Sequence, residues 1–200
     1  MRLPKTIFAS LSVALLCIGS ATVAHADVIT FIGSRDTVNG PPAAPDIGRC
    51  GAPAPPNLLV TLTGTGTSNV GSFTATDSHC VNAATGEVFN GLFAWDFGGG
   101  NTFFGTFLGT VTMPTPGVLA FSETFTLTGG TGLFAGASGS LLGTGTVAFN
   151  PDGTSNSHTD FRGTINTVPE PTTILLLGTG LAGVATKVRK RRKANKSEEV

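Results

Sequence analysis

Residues Thr102 to Thr112 read TFFGTFLGTVT, and the order of residue types in this stretch decides the fold. Apolar and aromatic residues recur at period two with Thr or Gly between them, the pattern of a strand with one face toward a core. The same alternation extends outward in both directions. It returns in LVTLTGTGT, SFTATDSHCV, EVFNGLFAWDF, LAFSETFTLT, SLLGTGTVAF and HTDFRGTI, and the early DVITFI completes about eight strands. No segment of this body has a helical period, and glycine is too frequent for stable helices. The joints carry turn chemistry at Gly98-Gly99-Gly100-Asn101, Pro114-Thr115-Pro116-Gly117, Gly129-Gly130-Thr131-Gly132 and Asn150-Pro151-Asp152-Gly153. There Gly and Asn supply positive φ, and Pro fixes it.

Turns spaced about 10 to 15 residues apart let consecutive strands pair as antiparallel hairpins. The expected fold is therefore all-β: an antiparallel β-barrel of about eight strands, closed so that Thr- and Val-rich edges are not left open to aggregation. Phe73, Phe93, Phe97, Phe103, Phe107, Phe121, Phe125 and Phe149 fall at alternating positions and are expected to fill the core. One segment, NGPPAAPDIGRCGAPAPPN from Asn39 to Asn57, has no alternation and concentrates proline, so it reads as a long, partly extended loop.

The ends have a different chemistry. Residues 1–26 carry Arg2 and Lys5, then an apolar run from about Ile7 to Ile18, then Ala24-His25-Ala26. This is the order of a secretory signal peptide, too short for a membrane span, with a signal helix removed by cleavage between Ala26 and Asp27. Export through the Sec machinery follows. In an oxidising compartment Cys50 and Cys80, the cysteines left after the leader with Cys17 is removed, can form a disulfide. Two free thiols are the alternative. A metal site from Cys50, Cys80 and His79 is disfavoured because neighbouring strand residues point to opposite faces.

Formal charge sums to zero over the 200 residues but is segregated. Between Asp27 and Thr167 there are Arg35, Arg49 and Arg162 against nine carboxylates, a net of minus six. A body without clustered cations excludes nucleic acid as a partner, because neutralising phosphates needs Lys and Arg.

Catalytic patterns are weak. GGTGLFAG lacks the following helix and the lysine of a phosphate loop and reads as a turn. Asp77-Ser78-His79 lies on alternating faces of one strand. Glu87 and Asp96 could meet across a hairpin, as glycosidase carboxylates do, but strand ends and turns use such residues routinely. No catalytic residue, cofactor or metal is assigned.

Two resemblances add to this reading. GTGTSNVGSFTATDSHCVNAATGEVFNG, GNTFFGTFLGTV, FSETFTLTGGTGLFAGASGSLLGTGTV and FRGTI, covering most of Leu58 to Ile165, are similar to bacterial exported proteins with an allene-oxide-cyclase-like β-barrel. Those proteins commonly carry Arg after GGTG where this chain has Leu133, so no role of that arginine transfers. The resemblance implies the barrel and leaves open a small-molecule-binding or cyclase-like use of its cavity.

The C-terminus reads VPEPTTILLLGTGLAGVATKVRKRRK from Val168 to Lys193. Pro169 and Pro171 force an extended backbone around Glu170, presented as a peptidase substrate would be. Residues 172–186 form an uncharged run expected as a hydrophobic transmembrane helix, though at ~1.5 Å per residue it reaches only ~22 Å. Lys187, Arg189, Lys190, Arg191, Arg192 and Lys193 follow as a positive-inside stop signal, and residues 194–200 are a polar tail.

This order, Val168-Pro169-Glu170-Pro171, short apolar helix, basic end, resembles a PEP-CTERM sorting signal. The resemblance implies processing by an exosortase-type membrane peptidase in a Gram-negative bacterium that makes exopolysaccharide. The inner membrane is then a transient stop and the cell surface or extracellular matrix the destination, with exopolysaccharide or biofilm as a further partner. A plain single-span anchor is the alternative for the tail. For the body, the first expectation is a non-catalytic matrix or surface protein, against a cavity-using binder or enzyme and a glycosylated adhesive component.

Overall fold

The computed structural model describes residues 27–40, 47–51 and 57–168, together with positions 180, 183 and 184. Eight strands run in chain order: β1 (Asp27–Asn39), β2 (Asn57–Ser68), β3 (Gly71–Asn82), β4 (Glu87–Asp96), β5 (Thr102–Thr115), β6 (Val118–Thr131), β7 (Ser138–Phe149) and β8 (Ser155–Thr167). Each pairs antiparallel with the next, and β8 pairs with β1 to close an all-β barrel. The alternation in the sequence is the cause, because with a period of two every second side chain must lie inside. In β1 these are Phe31, Arg35, Thr37 and Asn39; in β6 they are Glu123, Phe125 and Leu127.

The inward parity changes within β4, and again in β6 beyond Leu127, where the register against β5 shifts. Between Val88 and Gly91 the β4 register shifts against β5, and Asn90 takes φ of 50°. The bulge lets Val88 on one side and Gly91, Phe93 and Trp95 on the other all face inward. Asn tolerates the left-handed region better than other non-glycine residues.

An eight-stranded barrel is only just wide enough to be filled by side chains, and here large residues are set against absent ones. A Cβ on Gly66 would lie 2.3 Å from Cζ of Phe73, and one on Gly105 would lie 2.9 Å from the Phe93 ring. Inward glycines thus provide the room that the aromatic rings occupy.

Two sequence expectations are corrected here. Gly129 and Gly130 belong to β6, where they pair with Phe104 and Phe103, and the reversal is made by a 3₁₀ turn at Gly132–Phe134. The Pro-rich loop also contains a one-turn helix, α1 (Ile47–Cys50). It is fastened to the outside of β3 and β4. Cys50 and Cys80 are joined by a disulfide with Cα atoms 5.5 Å apart. Arg49 donates to Ser78 Oγ at 2.9 Å and to the Asn90 carbonyl at 2.6 Å, and Asn90 Nδ2 returns a bond to the Arg49 carbonyl. The bulge residue is therefore also the clasp.

Among the described residues no helix is long and apolar enough to cross a membrane. The expected signal helix, and the span 172–186 apart from Gly180, Gly183 and Val184, lie outside the described residues.

Candidate functional site

The two ends of the barrel interior differ. One is solid. Trp95, Phe31, Phe103 and Phe125 are fully buried, with Trp95 stacked on Phe73 at 4.7 Å and edge-on to Phe161 at 4.6 Å. Phe134 from the 3₁₀ turn closes this end against Phe97 and Phe103. The other end opens into a cavity of about 220 Å³. Its walls are Leu58, Val60, Leu62, Val111, Phe121 and Val147. Phe121 and Phe149, expected to fill the core, stand instead on this cavity, Phe149 being more than half exposed.

The boundary between the halves is polar and charged. Arg35, 2% exposed, forms a salt bridge with the fully buried carboxylate of Asp77. Its guanidinium carbon lies 5.1 Å from the Phe161 ring centre and 5.4 Å from that of Trp95, so the cation rests on aromatic faces. Trp95 Nε1 donates to the other Asp77 oxygen at 3.2 Å. Burial raises the Asp77 carboxyl above its usual range, while contact with Arg35 and Trp95 opposes the rise.

Glu123, His79, Asn39, Ser155 and Ser157 also line the cavity. Burial pushes the Glu123 carboxyl up to about 7, with Arg35 opposing and Asp77 adding. Burial, aided by the Arg35 and Arg49 charges, lowers His79 to about 4, so its imidazole is neutral. Thr37 is bonded to Ser157, and Asn39 Nδ2 donates to Ser155 Oγ at 3.0 Å. His79 Nδ1 and Arg35 Nε are buried without a hydrogen-bond partner. The arrangement is an apolar-walled pocket with a few convergent polar groups, the usual form of a small-molecule site, and its two shifted groups mark it further.

Arg35, Asp77, His79 and Glu123 were not brought together in the sequence analysis. The signal was parity. Arg35 is in phase with Phe31, Asp77 with Phe73 and Ala75, and Glu123 with Phe125 and Leu127, so each charge shares the inward face of its strand.

Other candidates separate. Asp77 and His79 face inward while Ser78 bonds Arg49 outside, so the triplet forms no catalytic array. Glu87 and Asp96 are the two ends of the single strand β4 and cannot meet across a hairpin, which corrects that expectation. Asp96 caps the glycine turn by accepting from the Gly98 N–H at 2.8 Å. His79 points into the barrel whereas Cys80 is bonded to Cys50, and among the described residues no group of His, Cys, Asp and Glu could hold a metal ion. Leu133, at the position where the similar barrels commonly carry Arg, is exposed.

The described residues next to the expected processing points lie at one end of one seam. Asp27 opens β1 and pairs with Thr167, the last residue of β8. Val168 is exposed and its N–H donates to the Ala135 carbonyl at 3.4 Å. Ala26, Pro169, Glu170, Pro171 and the basic positions 187 and 189–193 lie outside the described residues. No curated protein and no solved structure matches the chain. A family model does match its end: residues 167–192 carry the PEP-CTERM protein-sorting motif, which marks an exported protein recognised by a membrane peptidase, the exosortase, on its way to the cell surface.

Proposed function

We propose that the chain is an exported surface or matrix protein whose delivered cargo is the β-barrel of residues 27–167. The leader of residues 1–26 is removed at Ala26–Asp27, and the sorting signal of residues 168–193 is cut near Pro169-Glu170-Pro171. The hydrophobic span 172–186 and the basic cluster Lys187 to Lys193 hold the intermediate in the inner membrane, with residues 194–200 on the cytoplasmic side. The freed barrel acts without catalysis in the exopolysaccharide matrix of a Gram-negative cell.

The supporting observation is the pairing of Asp27 with Thr167. Both cleavage points lie just beyond the last rung of the β1–β8 ladder, so removing both ends costs the barrel no strand hydrogen bond. The test is the intact mass of the protein recovered from the host's medium and envelope. A mass corresponding to Asp27 through about Pro171 in the medium is expected. Persistence of the chain through Val200 in the inner membrane would replace processing with simple anchoring.

A second reading is supported by the cavity: the delivered barrel binds a small molecule. An apolar-walled space beside unpartnered buried polar atoms is poorly explained as packing, because such groups are costly to bury without a partner.

A further inference from the structure

We propose that the barrel cavity binds a small lipophilic amine, its ammonium group seated on the Glu123 carboxylate and its hydrocarbon lying against Leu58, Val60, Val111 and Phe121. The proposal rests on the small-molecule reading above and specifies its ligand.

The argument is one of charge balance in a low-dielectric space. Four ionisable groups face one another at the floor: Arg35 from β1, Asp77 and His79 from β3, and Glu123 from β6. Arg35 and Asp77 neutralise each other through their salt bridge, and the guanidinium is turned onto Trp95 and Phe161 below the floor. His79 is neutral. Glu123 remains. It lines the cavity, is 6% exposed, and among the described residues has no hydrogen bond or salt bridge.

A buried carboxylate without a partner is expensive, and the group neutralises itself by holding a proton instead. A cation delivered into the cavity would replace that proton and leave the floor neutral. An ammonium group has three donors and no acceptor. The acceptors offered to it are the Glu123 oxygens and the Ser157 hydroxyl, with the neutral His79 ring beside them. A carboxylate ligand would instead add a second negative charge beside Glu123, and an alcohol would leave the Glu123 charge uncompensated. The walls above the floor carry no charge, so the rest of the ligand must be apolar. At about 220 Å³ the space lies below the ~300–1,000 Å³ of drug-sized pockets, which sets a short chain or a single ring as the body.

The experiment compares hexylamine, 1-hexanol and hexanoate by titration calorimetry on the exported protein at pH 8, where Glu123 is ionised. Hexylamine is expected to bind about tenfold or more tighter than 1-hexanol, the scale of one charge-assisted contact, and hexanoate not to bind. In E123Q the hexylamine affinity should fall to that of 1-hexanol while 1-hexanol is unaffected, which also shows that the variant is folded. At pH 6 hexylamine binding should release a proton, read from the dependence of the heat on buffer ionisation, and 1-hexanol binding should release none. Equal affinity for all three probes, tighter binding of hexanol or hexanoate, or unchanged hexylamine binding in E123Q overturns the amine assignment while leaving a binding cavity. Failure of every probe to bind overturns the cavity reading as well. Filling the cavity with V147F should abolish binding of hexylamine and hexanol alike; retained binding places the ligand elsewhere and also overturns the proposal.

Discussion

The aromatic half of the barrel and its open half are built from the same eight strands with the same inward parity, yet one is solid and the other hollow. In the solid half, rings from six strands meet around Trp95, and glycines opposite them remove the side chains that would collide. In the open half most inward residues are Val, Leu, Ser and Asn, and the rings there, Phe121 and Phe149, stand at the cavity wall without closing the diameter. The interior is divided by where the rings meet: they touch one another around Trp95 and do not at the open end. The plane of division is where the charged residues sit, since Arg35 can face aromatic rings on one side and a polar cavity on the other. The aromatic half is therefore expected to carry most of the stability, and the other half leaves the cavity.

The largest test of this division is Trp95→Ala. It removes a fully buried ring in contact with Phe31, Phe73, Phe93, Phe103, Phe125 and Phe161 and deprives Asp77 of a donor. A loss of ~3–5 kcal/mol is expected from denaturant unfolding. Phe149→Ala, in the open half and more than half exposed, should cost under about 1 kcal/mol by the same measurement. Similar losses for the two would mean that the halves share one core.

Next comes the clasp on the outer wall. Opening Cys50–Cys80 with the double serine variant frees a loop of 30 residues, and a loss of about 3 kcal/mol is expected in the chain-entropy model. Thermal unfolding with and without reductant checks it: the wild type should fall to the variant's midpoint, and the variant should not respond.

The floor gives a paired pH prediction. Glu123 is raised from 4.5 to about 7, so the native state holds a proton that the unfolded chain has lost, and stability falls as pH rises through that window. His79 is lowered from 6.5 to about 4, so the unfolded chain takes a proton that the native state refuses, and stability is lost as pH falls through that window. Each shift is on the order of 3 kcal/mol, and between about pH 4.5 and 6.5 the two slopes oppose. The wild type should be nearly flat there. E123Q should expose the His79 slope, stability rising with pH, whereas His79→Gln should expose the Glu123 slope, stability falling. Unfolding free energies at pH 4.5, 5.5 and 6.5 decide it; the same slope in both variants would show that the two groups do not titrate as separate sites.

The barrel was legible because its cause is local: period two, turn residues at the joints and an export context that permits Cys50 to meet Cys80. What was not legible was long-range. Arg35 and Asp77 are 42 positions apart, and nothing near either one in sequence announces the other. Their strands meet only through β2, which sits between them in the barrel. The bulge at Asn90 was hidden for a related reason: EVFNGLFAWDF reads as one alternating strand, and only the need to place both Val88 and Trp95 inside shows that a residue must be skipped. The tail was readable because its motif is one contiguous run, residues 167–192, whose order of residue types is itself the signal.

The smallest expected effect is the most specific to the hollow half. Val147 stands on β7 opposite Leu119 and Ser157, with its side chain on the cavity. In a close-packed interior, Val→Phe costs about 1–3 kcal/mol, because the added ring must displace its neighbours. Here the ring has the cavity to enter, where it would gain contact with Leu58, Val60 and Phe121, so the expected change is within about 1 kcal/mol of zero by denaturant unfolding. The contrasting variant adds a single carbon in the solid half. A Cβ at Gly66 would fall 2.3 Å from the Phe73 ring and 2.6 Å from the Ser34 carbonyl oxygen, and Gly66→Ala should cost more than Val147→Phe although it adds far fewer atoms. That inversion, with the larger insertion doing the smaller damage, is what a half-filled barrel requires and a uniformly packed one forbids.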